Sequence, residues 1–208
     1  MKRDLFHPQN YNSILYKQLN SKFYSFLYKT TSIKEIKLYL NNLKEKYPDA
    51  SHICYAYRLF DGFTILDGIN ISEYSADAGE PRGSAGPPIL KTLKKFNLIN
   101  TVVFVVRYFG GKKLGIPGLI EAYSNSSEAV INSKELIEWY PITTIELNYP
   151  YNLDSLIKNL INNFDAKIKK QLFQDSILSI IELDYFKMND FIDKASSYSG
   201  LKIQIIKN

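Results

Sequence analysis

Residues Thr101 to Tyr123 read TVVFVVRYFGGKKLGIPGLIEAY. The first part, Val102-Val103-Phe104-Val105-Val106, is an unbroken apolar run. It is too short for a helix and too rich in β-branched residues to favour one. It therefore reads as a strand over 101–106, buried on both faces. The strand empties into Arg107-Tyr108-Phe109-Gly110-Gly111-Lys112-Lys113, which reads as a loop of cations, aromatics and paired glycines. A second glycine turn follows at Gly115-Ile116-Pro117-Gly118, then a helix near 118–131. Its inward face is Leu119, Ala122, Tyr123, Ser126 and Val130. A core strand, a cationic glycine loop and a helix in succession are how a rigid scaffold presents a site.

A second loop of this kind lies upstream. Asp77-Ala78-Gly79-Glu80-Pro81-Arg82-Gly83-Ser84-Ala85-Gly86 leads into a helix near 86–96, with Ile89, Leu90, Leu93 and Phe96 on one face. Pro87 and Pro88 suit a first helical turn, where the missing N–H is not needed.

The rest of the chain supplies a frame for these loops. Residues 1–20 show no clear periodicity and read as an extended or partly ordered lead-in. Ser21–Tyr28 alternates as a first strand. Ser32 caps a helix, with Glu35 completing a capping box and Ile33, Ile36, Leu40, Leu43 and Tyr47 on one stripe. His52–Leu59 is a second strand, and Asp61-Gly62 turns the chain into a third, Phe63–Ile69. The order over 21–139 is thus βαββαβα, a mixed α/β domain. The boundary is placed at Trp139-Tyr140. Beyond it Ile142–Asn148, Leu153–Phe164, Ala166–Phe173, Ser176–Asp184, Asn189–Tyr198 and Lys202–Ile206 alternate as βαββαβ, the ferredoxin-like arrangement.

Composition sets limits on function. A single cysteine, Cys54, excludes an intramolecular disulfide and a zinc site built on paired cysteines. Inside a strand, it reads as a small buried hydrophobe. No stretch has the pattern of a signal peptide or a membrane span, so the expected location is the cytoplasm. The net charge of +5 is unevenly placed. Residues 1–139 hold 18 Lys/Arg against 13 Asp/Glu, and residues 140–208 hold 8 against 8. The excess lies with the glycine loops, as expected for a domain that meets an anionic partner. With 16 Tyr and 12 Phe the chain is rich in rings, which serve either as core or as stacking platforms.

Two chemistries are open to the loops. Glycines let backbone N–H groups approach an anion, and a helix N-terminus adds partial positive charge. Arg82, Gly83, Arg107, Tyr108, Phe109, Gly110, Gly111, Lys112 and Lys113 form a candidate anion or nucleic-acid site on that basis. The plainer alternative is that the glycines only form tight turns while Tyr108 and Phe109 fill the core. The other chemistry is acid–base. His52, Asp77 and Glu80 form the candidate set, able to activate water or to hold one divalent metal if the fold unites them. Against it, a lone strand histidine is usually structural, and Glu80 can simply brace its loop. No recognised nucleophile or metal motif is present, and neither metal nor cofactor is expected.

GEPRGSAGPPIL and VVRYFGGKKLGIPGLIEAY, with Ser51-His52-Ile53-Cys54-Tyr55-Ala56-Tyr57 upstream, resemble the IMPACT / YigZ family. Members carry a GEPxGTAG loop and an RYFGGxKLGxGGL loop, and the likeness runs from about residue 20 to 205. The resemblance implies a ribosomal-protein-S5-domain-2-like two-layer fold followed by a ferredoxin-like domain. It also implies a role in translation, through RNA, the ribosome or a ribosome-associated factor. The eukaryotic member restrains a translation-initiation stress kinase by competing for its activator. The runner-up is a hydrolase of a phosphorylated or peptide-like substrate. Three positions depart from the pattern. Ala78 stands where Asp is common, Pro117 replaces a glycine, and Glu121 stands where Arg is frequent.

Overall fold

The computed structural model describes residues 4–9, 11–63, 68–133 and 135–206. The chain divides into two compact units, Met1–Trp139 and Tyr140–Asn208.

The first unit is built on β2 (Asn12–Gln18), β3 (Ser21–Lys29), β4 (His52–Phe63), β5 (Ile69–Ala76) and β6 (Thr101–Tyr108). These form one sheet in the order β2-β3-β6-β4-β5, each neighbouring pair antiparallel. The apolar run lies on β6, the central strand. Val103 and Val105 face one side and Val102, Phe104 and Val106 the other, all fully buried. The unbroken hydrophobicity follows from that position, because both faces are covered. On the first face lie α2 (Gly86–Lys95) and α3 (Gly115–Asn132), whose Ile89, Leu93, Leu119, Ala122, Tyr123 and Val130 join Phe23, Leu27, Cys54 and Ala56. On the other, Ile36 and Leu43 of α1 (Ile33–Lys46) pack against Phe26 and Phe104. Helices thus cover both faces, and the unit has three layers in place of the expected two. The reason is the stripe on α1, which needs an apolar surface and finds it on the second face of β6.

The lead-in, expected to be extended or partly ordered, contributes two strands: β1 (Leu5–Pro8) pairs antiparallel with β7 (Leu136–Trp139), and β2 forms a hairpin with β3. Two other expectations are corrected. Asp61 and Gly62 do not turn the chain. They lie inside β4 beside a register shift between Phe60 and Phe63, and Gly62 takes φ +86°. The glycine bends a strand there rather than ending it. β5 begins at Ile69, and residues 64–67 of the expected third strand lie outside the described residues. Ser32 does cap α1, accepting from the Lys34 N–H at 3.1 Å. Glu35, however, bonds the Thr30 hydroxyl at 2.6 Å instead of closing the box.

The second unit follows the expected order: β8 (Ile142–Tyr149), α4 (Asp154–Asn163), β9 (Lys167–Phe173), β10 (Ile177–Asp184), α5 (Met188–Ala195) and β11 (Lys202–Ile206). Its sheet runs β11-β8-β10-β9, all antiparallel. Ile157, Leu160 and Ile161 of α4 and Phe191 of α5 pack on Ile145, Leu147, Ile177 and Ile181. None of the helices among the described residues is long and apolar enough to cross a membrane.

Candidate functional site

Strand parity divides the residues that follow the apolar run. β6 continues to Tyr108, so Arg107 falls on the same face as Val103 and Val105 and turns inward. Only 6% of Arg107 is exposed. Its Nη1 donates to Oε1 of Glu80 at 2.6 Å, and Glu80 is itself 7% exposed. The guanidinium lies between the rings of Phe23 and Phe109, with centroids at 5.6 and 5.7 Å. Tyr123 of α3 donates its hydroxyl to the same Glu80 oxygen at 2.8 Å. The Cys54 Sγ stands 3.3 Å from that hydroxyl and 2.9 Å from the Asp77 carbonyl. Sheet, first loop and α3 therefore meet in one buried network. Arg107 is an internal counter-ion of Glu80 and not a free contact for phosphate. Burial is the physical reason: an unpaired charge at this depth would be strongly unfavourable.

The buried thiol is inert. Burial pushes the Cys54 thiol up to about 12; its hydrogen bond with Tyr123 opposes the shift, and nearby Glu80 and Asp77 add to it. Burial also drives Tyr123 upward, reinforced by Cys54 and Glu80. Thiolate, not thiol, is the nucleophile. Folded protein at pH 8 is expected to react with Ellman's reagent at least about a hundredfold more slowly than urea-unfolded protein. Rapid labelling of the folded chain would contradict the buried assignment.

In the first loop the anion seat is already taken. Asp77 Oδ1 accepts from the N–H groups of Ala85 and Gly86 at 3.0 and 2.9 Å, and Oδ2 from Gly83 at 2.8 Å. Desolvation raises its pKa, but these backbone bonds and nearby Arg82 outweigh it and hold the carboxyl below its ordinary value. A carboxylate from the chain itself thus occupies the N-terminus of α2, in place of the expected phosphate. Arg82 remains exposed beside it. Gly83 takes φ +81°, and Gly86 is required by packing, since a Cβ there would lie 2.7 Å from the Ala76 nitrogen.

The acid–base candidates are not united. His52 Nδ1 bonds the Ala78 carbonyl at 3.0 Å, Asp77 holds backbone N–H groups, and Glu80 holds Arg107 and Tyr123. No hydrogen bond joins any two of these three side chains, and no cluster suited to a metal occurs, among the described residues. Ser84 is buried, with its hydroxyl donated to the Pro81 carbonyl at 2.6 Å.

The second loop keeps an open surface. Gly111, Lys112 and Lys113 are exposed, and Phe109 is 49% exposed. Neither lysine joins an ion pair among the described residues. Among the described residues no side chain caps α3. Gly110 is there for close approach: a Cβ would sit 2.0 Å from the Asn20 carbonyl carbon. Its N–H reaches Ser21 Oγ at 3.3 Å, and that of Phe109 reaches Ser51 Oγ at 3.1 Å. Tyr108 turns to the opposite face from Arg107 and meets Tyr24 edge-on at 6.0 Å. Glu121, the departure on α3, accepts from Gln18 Nε2 at 3.3 Å.

The Impact N-terminal domain model matches residues 19–131, more than half of the chain and the whole of this network. The chain belongs to the IMPACT family. It is 27% identical over 188 residues to the IMPACT family member YigZ of Escherichia coli (strain K12), covering 89% of each chain. It is 29% identical over 157 residues to the family member YvyE of Bacillus subtilis (strain 168), covering 76% of this chain and 69% of that one. A crystal structure described as a hypothetical protein is similar over 100% of both chains, with 26% identity and a TM-score of 0.64. Glu80, Arg107 and Tyr123 lie inside the match, where their hydrogen bonds join the first loop, β6 and α3.

Proposed function

We propose that this IMPACT-family chain is a cytoplasmic, translation-linked regulator that binds RNA, the ribosome or a ribosome-associated factor through its second glycine loop. The family supplies the link to translation. In this reading the first unit is a ribosomal-protein-S5-domain-2-like fold with an added helix layer, and the second is a ferredoxin-like domain. The observation that carries the proposal is the contrast between the two loops. Asp77 closes the first, whereas the second presents exposed Lys112, Lys113 and Phe109 beside the uncapped start of α3. Such a surface attracts polyanions and gives a ring to stack on. Arg82 contributes from the edge of the first loop. The hydrolase reading has no assembled acid–base set to support it.

Cosedimentation with ribosomes and with bulk RNA across a salt series tests the proposal. Binding is expected to weaken steeply with salt. The double variant Lys112→Ala/Lys113→Ala is expected to lower the slope of log affinity against log salt by roughly 1 per lysine, with the fold intact. Undiminished binding of that variant at low salt would refute the loop assignment. Arg107 is left out of the variant because its loss would damage the core.

A further inference from the structure

The face of the sheet that carries α1 holds a second feature, along β2 and β3. Lys17 and Lys22 are direct cross-strand partners, and both are exposed. Like charges in this position repel. Neither forms an ion pair among the described residues. Two residues further along the hairpin Leu15 lies opposite Tyr24, and Lys22 is also paired with Tyr108 across β6. The cations therefore border a row of rings. Tyr24 stands between Tyr47, stacked at 5.7 Å, and Tyr108, edge-on at 6.0 Å. Lys46 lies over Tyr47 at 5.5 Å.

Two hollows meet at Tyr24. One of about 320 Å³ is lined by Asn20, Lys22, Tyr24, Tyr108 and Phe109. The other, about 230 Å³, runs between Leu15, Tyr24, Lys46 and Tyr47. The first is at the small end of ligand pockets, and together they form a trough rather than an enclosed cavity. Asp49 lies close enough to Tyr108 that its charge, after desolvation, helps to raise the phenol.

We infer that this trough is a binding track for single-stranded RNA. Bases stack on Tyr24, Tyr108 and Phe109, and a backbone phosphate bridges Lys17 and Lys22. The occupant is argued from charge and shape together. An unrelieved pair of cations calls for an anion, and an adjoining row of rings calls for flat π-faces, and a polynucleotide has both at the same repeat. An acidic peptide would satisfy the lysines but leave the rings idle. The inference rests on the RNA arm of the proposed function and moves its main contact from the glycine loop to the sheet face that the loop adjoins.

Fluorescence anisotropy with a labelled oligouridylate of about 12 nucleotides and the full chain tests it. Lys17→Glu is expected to weaken binding at least about tenfold. Its melting temperature should stay the same or rise, because the new carboxylate would then pair with Lys22 across the strands. Lys91→Glu makes the same charge change on α2, which packs on the other face, and is expected to weaken binding less than about threefold. An abasic strand of the same length is expected to bind the wild type at least about tenfold less tightly than oligouridylate. Equal losses in the two glutamate variants, or equal binding of the abasic strand, would overturn the track. So would displacement of the RNA by polyglutamate at equal charge. If the wild type binds no oligonucleotide yet still cosediments with ribosomes, the track fails and the proposed function stands. If it does neither, both fail.

Discussion

Replacing Glu80 with alanine is expected to destabilise the first unit by about 3–5 kcal/mol, the usual result of removing one partner from a buried ion pair. Two groups lose their acceptor at once. Arg107, 6% exposed, would keep a charge with no counter-ion, and the Tyr123 hydroxyl would lose its 2.8 Å bond. The Arg107 Nε is already without a hydrogen-bond partner among the described residues, so the guanidinium has no spare satisfaction to fall back on. Urea unfolding followed by the fluorescence of Trp139, which lies in this unit, measures the change. Glu80→Gln retains an acceptor but loses the charge and should fall between wild type and alanine. The double variant Glu80→Leu/Arg107→Met removes both charges and should recover much of the loss, because the pair's desolvation penalty disappears with it. A loss below about 1 kcal/mol for Glu80→Ala would mean that water reaches Arg107, and the network would not be the buried brace described above.

That network also shows where sequence reading succeeds and where it stops. The run Val102–Val106 announces a central strand because only burial on both faces tolerates such a run. The inward face of α3 follows from helical spacing, and Leu119, Ala122, Tyr123, Ser126 and Val130 are all buried. The order βαββαβ of the second unit is readable from periodicity alone. Arg107 reads as part of an exposed loop because a cation beside aromatics and glycines looks like an anion contact. Parity says otherwise once the strand extends to Tyr108: Val103, Val105 and Arg107 are on one side. Sequence does not supply the counter-ion, since Glu80 is 27 residues away and reaches Arg107 only through the fold. Lys17 and Lys22 stay hidden for a related reason. Without the hairpin register they are two ordinary lysines, Lys17 in the unpatterned lead-in and Lys22 in the first expected strand. The cross-strand pairing sets the two cations side by side. The glycines are ambiguous as well. Gly86 and Gly110 are demanded by contacts with Ala76 and Asn20, so they mark close packing before they mark a ligand.

Asp77→Ala is expected to cost about 3 kcal/mol, because a carboxylate accepting several charge-assisted bonds is worth more than an ordinary cap. Three N–H groups, of half-buried Gly83 and of buried Ala85 and Gly86, would lose their acceptor at the start of α2. Asp77→Asn keeps one acceptor oxygen but turns an N–H₂ donor toward the remaining N–H groups, and should lose roughly half as much. The pH dependence separates this from a simple packing defect. Desolvation pushes the Asp77 pKa up, the three backbone bonds and Arg82 push it down, and the bonds prevail, so the folded value lies below the ordinary one of 3.8. A group depressed on folding contributes its full stabilisation above the unfolded value and loses it as pH falls through the folded value. The gap in stability between wild type and Asp77→Asn should therefore be constant from about pH 7 to about pH 5 and shrink progressively below about pH 4. Urea midpoints across that range decide the matter. A gap that stays unchanged down to about pH 3 would show that the carboxylate charge contributes nothing to the loop, and that the turn is held by its glycines alone.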